Sequence, residues 1–364
     1  MDDLAFVPTE AVDWYVPFAP RDVAEAVAFV RSAGETVDVI LCFGEWHLGL
    51  AVGTAQALGV PGPRLDVTRA RQKDAMRAAF RAAGMRTPRS VVVDGDDVAD
   101  DLPNFPVVVK PVDYSSSSGV ALVTDEEQLR AALRTAQQKS FRGVALVEEF
   151  VRGPEFSVEG VVSDGRAIVV GVTQKQVTDP PWFVETGHLF PAELPEEARS
   201  ALVDEACRAV AAVGLTACAF HCELRLGPDG PVCIEIAGRS GGDQIPRLVW
   251  EATGCDLYLA ELAAILGEDP ERWMLPTRQR SAAIRFLEAV PGTVVRWPSA
   301  SAAARRLPLS ECLVALGHAY PWYVEVPPLD GSGRRLGYCL VAGPQDDVRT
   351  AYEQATVLAP GMVR

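Results

Sequence analysis

The stretch AFHCELRLGPDGPVCIEIAGR, residues 219–239, places two glutamates on either side of a Gly-Pro-Asp-Gly turn. With the turn centred on Asp229, Glu223 and Glu235 fall opposite each other on adjacent strands. Their Cα atoms would lie roughly 4.5–5.5 Å apart on one face. Like charges that close call for a cation between them. Hard oxygen ligands suit magnesium, which keeps waters and takes phosphates in its remaining positions. His221 and Ala237 form the next pair on that face, and Arg239 follows. SGGD then opens a helix, with Gly241 and Gly242 as candidate substrate-side residues. A one-residue bulge would undo this register, and an acidic pair on an exposed sheet face is the plain alternative.

Two further stretches carry chemistry. FPVVVKPVDYSSSSGV, residues 105–120, is an apolar strand that ends in Lys110 and runs into Ser115, Ser116, Ser117, Ser118 and Gly119. Small residues let backbone N–H groups converge on a polyphosphate, and the hydroxyls add donors. It is not a GxxxxGK[ST] loop, because the lysine precedes the small residues. A solvent loop after an edge strand would have the same composition. VEEFVRGPEFSVEG, residues 147–160, ends a strand with Glu148 and Glu149, continues through Phe150 and Val151, and places a third acid at Glu155. A purine bound there would use backbone groups of the connection, with one acid on the exocyclic amine and another on ribose hydroxyls.

Of 34 basic residues only four are lysines, Lys73, Lys110, Lys139 and Lys175. Lysine is a compact point charge that meets a phosphate end-on, where arginine presents a planar fork. Lys175 reads as a neighbour of the terminal phosphate or of a substrate carboxylate, and Lys139 as a surface residue. Glu45 opens a helix, where it either binds a substrate ammonium or complements the helix dipole.

The elements that must position these residues are legible. TVDVILCF (36–43) reads as a buried strand and GEWHLGLAVGTAQALGVPG (44–62) as a helix, the start of an α/β lobe. DVTRARQKDAMRAAFRAAG (66–84) has a capping Asp66 and a closing Gly84, and puts Met76, Phe80 and Ala83 on its core face. SVVVDG and FPVVVKPV read as strands flanking an acidic turn, TDEEQLRAALRTAQQ as an amphipathic helix, and GVALVEEFV as a strand. FSVEGVV–SDGR–AIVVGV is a hairpin with an Asp-Gly turn. A helix at 196–213 precedes the acid-bearing hairpin, and residues 281–364 read as short strands with one helix near 346–357.

At 364 residues the chain fits two or three lobes. A formal net charge of −15 argues against a nucleic-acid partner, which needs clustered basic residues. MDDLAFVPTE lacks a signal-peptide layout, and no apolar run approaches the ~18–20 residues of a membrane span. The eight cysteines are scattered without a CxxC pair and read as reduced thiols of a cytoplasmic protein.

Together these motifs resemble the ATP-grasp superfamily, and most its L-amino acid ligase branch, over nearly the whole chain. The resemblance implies an α/β chain of α+β lobes: an N-terminal Rossmann-like domain (1–88), an ATP-grasp small subdomain (89–154), and a large subdomain (155–364) with an accessory region from about 281. Lys73 matches the family's helix lysine, Lys110 its strand lysine, and Ser115 to Gly119 its phosphate-covering loop. Glu148, Glu149 and Val151 match the adenine hinge, with Phe150 between them, and Glu155 the ribose position. Glu223 and Glu235 match the metal-binding acids, and Arg239 the arginine at the transferred phosphate. VETGHLFPAEL (184–194) resembles the segment whose histidine, here His188, sits by the substrates.

The resemblance implies ATP and Mg2+ as cofactors, with Mn2+ as the alternative ion. It implies a carboxylate and an amine as substrates, an acyl phosphate between them, and a setting in natural product biosynthesis. Related ligases are often homodimers. A non-amino-acid acid, ammonia or an intramolecular acceptor remains open, as does a weak nucleotide-binding role. One departure stands out: Ala237 replaces the family's usual asparagine, and His221 opposite it is expected to contact a phosphate or the acyl group instead.

Overall fold

The computed structural model describes residues 19–34, 36–95, 101–286, 291–292, 294–296, 313–318, 323–325, 329, 331–354 and 361–362. The opening MDDLAFVPTE, the acidic turn at 96–100 and the last residues of the expected C-terminal helix lie outside the described residues.

Period-2 alternation builds the centre. The long strands Glu155–Ser163 and Leu215–Gly227 pair antiparallel, and each turns its two faces to different partners. The even face, with Phe156, Val158, Phe220, Cys222 and Leu224, packs on the helices Lys73–Ala82 and Glu196–Val213. The odd face carries Glu155, Glu159, His221 and Glu223 at one end. At its other end Val161 and Ala219 pack beneath the helices Ile245–Thr253 and Leu257–Leu266. The sheet extends through Arg166–Val177 and Glu185–Phe190 to Ser281–Phe286, Gly337–Gly343 and Leu313–His318.

A separate four-stranded sheet runs in the order Ser90–Asp94, Val144–Glu149, Val107–Pro111, Ala121–Val123. The helix Glu126–Lys139, capped by the Asp125 carboxylate on Gln128 N, lays Leu129, Leu133 and Ala136 over Val107, Val109 and Val147. Lys110 and Glu148 therefore point the other way, toward the large sheet.

Four expectations change. Residues 36–43 form no strand: the segment is only partly buried, and Ile40 N–H donates to Pro61 O without a ladder partner. The expected helix at 66–84 breaks at Gln72 (φ −94°, ψ 114°) into Val67–Arg71 and Lys73–Ala82. The break frees Lys73 N–H to donate to Val112 O at 2.8 Å, which fixes the lysine at a helix start. Met76 and Phe80 are buried, but Ala83 is exposed at the C-cap, past the last core-facing turn. The acid hairpin has a two-residue turn, Pro228–Asp229, which sets a register one residue off the expected one. A bulge at Ile234 restores it, so Glu235 pairs with Glu223 and Ala237 with His221. The C-terminal helix spans Gln345–Gln354. Among the described residues seven cysteines are free, and no helix is long and apolar enough to cross a membrane.

Glu261 is an acid in the wrong solvent. It is fully buried, accepts only from Ala219 N–H through Oε1, and leaves Oε2 without a partner. Burial raises its carboxyl from 4.5 to about 7. Between those values the folded protein holds a proton that the unfolded chain has released, so stability falls as pH rises from 4.5 to 7 and then levels off. Glu261→Gln is expected to stabilise the protein by up to roughly 3 kcal/mol at pH 8 and by little at pH 4.5. Urea unfolding at the two pH values measures this, and an equal gain at both would refute it.

Candidate active site

The two sheets face each other across one cleft. Lys73, Lys110, Ser115 to Ser118, Glu148 to Val151, Glu155, His221, Glu223, Glu235 and Arg239 all line it. Residues from five separate stretches of sequence thus reach one space.

The floor is the acid pair. Glu223 Oε1 accepts from Lys175 Nζ (2.6 Å) and His221 Nε2 (3.2 Å), and Glu235 Oε1 accepts from Lys73 Nζ (2.9 Å). Oε2 of each makes no hydrogen bond among the described residues. Burial pushes the Glu223 carboxyl up, but Lys175 and His221 outweigh it and hold it well below the usual range. Two carboxylates with one free oxygen each, paired across adjacent strands, fit a divalent cation.

The serine loop covers the cleft. Ser116 and Ser117 take left-handed φ values of 63° and 53°, and Gly119 takes 81°. Gly119 itself lies outside the cleft lining, against Pro111 and Lys139. Tyr114, at the loop's base, gives its carbonyl to Lys73 Nζ at 2.8 Å.

The opposite wall is a buried ion triad. Glu148 accepts from Arg77 Nε (2.6 Å) and Nη2 (3.1 Å) and pairs with Lys110. Burial pushes Glu148 up, but the two cations prevail and hold it at about 2. Arg77 also takes the carbonyl of the bulged Ile234 at 2.6 Å, tying the wall to the acid hairpin.

Several expected roles are corrected by these pairings. Both Glu148 oxygens are occupied, so Glu148 holds Lys110 and Arg77 and has no oxygen free for an exocyclic amine; Glu149, on the exposed rim, is the acid still open. Glu155 spends Oε2 on Arg225 and Oε1 on Lys175, so its free acceptor capacity for a ribose is reduced. Lys175 is buried among Glu155, Glu185 and Glu223 and lies off the cleft lining, so its charge is spent on those acids. His221 lines the cleft, but both ring nitrogens are engaged, Nδ1 by Glu159 (2.9 Å) and Nε2 by Glu223. Burial lowers its pKa, yet Glu159 and Glu223 together raise it to about 9. It is an imidazolium that orients Glu223, with no nitrogen left for a phosphate. Glu45 gives one oxygen to Arg71 (3.3 Å) and the other to Arg239 (2.7 Å), so it aims Arg239 and its capacity to accept from a substrate ammonium is reduced.

His188 is fully buried outside the cleft lining, with Nε2 3.3 Å from Asp243 Oδ2 and Nδ1 without a partner. Gly241 lies against His221, where an added Cβ would come within 2.8 Å of Nδ1, so only glycine fits; Gly242 has open space around it.

Arg77, Glu159, Glu185, Arg225, Asp243 and Arg335 were missed. Arg77 lies one helical turn after Lys73, Glu159 two strand positions from the pair of Ser157 with Glu223, and Arg225 two after Glu223, so periodicity could have found them. Asp243 and Arg335 meet from 92 residues apart, and no local signal marks that.

Residues 103–247 match a family described as an ATP-grasp domain. Among curated proteins the chain is 28% identical to the alanine–anticapsin ligase of Bacillus subtilis strain 168 over 239 residues, 58% of this chain and 50% of that one. It is 28% identical to carnosine synthase 1 of Gallus gallus over 320 residues, 78% of this chain and 34% of that one. The chain thus spans a third to about half the length of these curated relatives. The L-amino acid ligase structure from Bacillus licheniformis superposes with a TM-score of 0.82 over 94% of this chain and 86% of that one, at 23% identity, a likeness of fold. Residues 103–247 thus carry the match to an ATP-grasp domain, and the chain shares the fold of the Bacillus licheniformis structure.

Proposed function

We propose that the protein is an ATP-dependent carboxylate–amine ligase that joins amino-acid-like substrates through an acyl phosphate. The observation that carries this is the directly opposed pair Glu223–Glu235, flanked by Lys73 and Arg239 beneath the serine loop in one cleft. A binding module has no need of a transferring-phosphate site that combines an acid pair with an arginine aimed by Glu45.

In this reading the nucleotide lies along Glu149 to Val151, and the loop Ser115 to Ser118 covers its phosphates. Lys110 and Lys73 offset phosphate charge, which lets a substrate carboxylate approach a polyanion. Glu223 and Glu235 would hold Mg2+, whose chemistry when bound is to neutralise the phosphate oxygens. The carboxylate oxygen bonds to the terminal phosphorus, and ADP leaves with the electron pair. Arg239 faces the charge that develops there and on the acyl carbon's oxygen. An amine then attacks the acyl carbon and phosphate departs. The amine's proton goes to solvent or leaves with the phosphate, since His188 is buried outside the cleft lining.

The same reading divides the chain near residues 88 and 154 and places it in the cytoplasm, where the seven free thiols among the described residues persist. Relatives that are named as amino acid ligases support amino-acid-like substrates and a setting in small-molecule biosynthesis.

The test is phosphate release with ATP, Mg2+ and pairs drawn from the common amino acids, with mass spectrometry on positive wells. Pair-dependent phosphate with a product of the summed masses less water is the expected result. ATP binding without pair-dependent turnover on any acid and amine would refute it.

A further inference from the structure

The serine loop is held in a conformation it would not choose alone. Ser116 and Ser117 sit consecutively in the left-handed region, which disfavours residues with a Cβ. Within the loop only two long backbone bonds resist opening, Ser118 N–H to Ser115 O (3.4 Å) and Val120 N–H to Ser117 O (3.3 Å). What restrains it comes from more than 200 residues further along the chain. Ser332 N–H donates to Ser116 O at 3.2 Å, and Gly331 lies buried against the Ser118 backbone.

That turn is itself anchored in the site wall. Ser332 Oγ donates to Glu185 Oε2 at 2.7 Å, and Glu185 Oε1 holds Lys175, the cation on Glu223. Arg335 Nε returns to Ser332 O at 2.9 Å, while Nη1 and Nη2 take both oxygens of Asp243. Its guanidinium lies 3.7 Å over the Phe286 ring, a desolvated seat for a cation. Every donor in this chain of contacts is directional, and Ser332 at its centre is buried. Simple packing of a C-terminal segment would need none of them.

We propose that residues 331–335 form a strap, with Ser332 and Arg335 as positioning residues that hold the serine loop closed over the cleft. Its catalytic consequence rests on the ligase reading, whereas the strap itself does not. With the loop held down, the activated acid meets the amine. With it loose, water oxygen bonds to the acyl carbon, the carbon–oxygen bond to phosphate breaks with its electron pair on the phosphate, and a proton goes to solvent. ATP is then consumed, the acid is regenerated, and no amide forms.

The test uses the full chain. Ser332→Pro removes the N–H and the hydroxyl at the first position of the turn Ser332–Arg334, where proline's φ is tolerated. Arg335→Ala removes the anchor, and Arg335→Lys keeps the charge without the fork. Hydrogen exchange without nucleotide is expected to show the Ser118 and Val120 amides exchanging about tenfold faster in Ser332→Pro and Arg335→Ala, with helix 196–213 unchanged. Where the wild type makes amide, phosphate released per amide is expected to rise several-fold in both, with Arg335→Lys in between. Loop exchange within twofold of wild type, or an unchanged phosphate-to-amide ratio, overturns the strap. A wild type silent on every substrate pair would instead sink the ligase reading, and exchange would still decide the strap. Should Arg335→Ala fail to fold, Ser332→Pro carries both measurements.

Discussion

Glu148→Ala is expected to destabilise the fold by about 3–5 kcal/mol, because it strands two buried cations at once. Arg77 is fully buried and Lys110 nearly so, and Glu148 is the carboxylate both of them pair with. The loss exceeds that of an exposed pair because neither cation can turn to water. Urea unfolding at pH 7 measures it. The same carboxyl, held at about 2 against an ordinary 4.5, contributes stability that is fully present above pH 4.5 and is lost as pH falls through 2. The gap between wild type and Glu148→Ala should therefore close below pH 4.5. A gap that stays constant to pH 2, or one under about 1 kcal/mol at pH 7, would show that the triad does not hold the wall in this form.

Glu235→Gln is expected to reduce substrate-dependent phosphate release by roughly 10²-fold or more while leaving the protein folded. Glutamine keeps the shape and an acceptor for Lys73, but it removes one of the two negative charges that a metal ion and its phosphates require. Folding should tolerate this, because the Glu235 side chain is 28% exposed and Lys73 retains the Tyr114 carbonyl. Initial rates across a range of Mg2+ concentrations, beside a thermal melt, make the measurement. A rate within threefold of wild type at saturating Mg2+ would move the acid pair out of the chemistry.

The acid pair and the strand lysine were legible because strand periodicity alone assigns faces. Alternation puts His221, Glu223 and Arg225 together, and a short turn brings Glu235 alongside. Even here the register was reached by compensation: the two-residue turn shifts it by one, and the Ile234 bulge shifts it back. Arg77 explains that bulge by taking its carbonyl, a contact spanning 157 residues that no local pattern could reveal.

By itself, then, the sequence determined which residues share a strand face, where the helices are capped, and that lysines, serines and acids would meet a polyphosphate. Only the tertiary structure decided which charges are already spent. Glu45, Glu148, Glu155 and Lys175 read from sequence as groups awaiting a ligand, and each is paired instead with protein partners. The reason is physical: periodicity fixes the direction in which a side chain points, whereas a buried charge must find its partner across lobes, and that pairing is set by how the lobes close on one another.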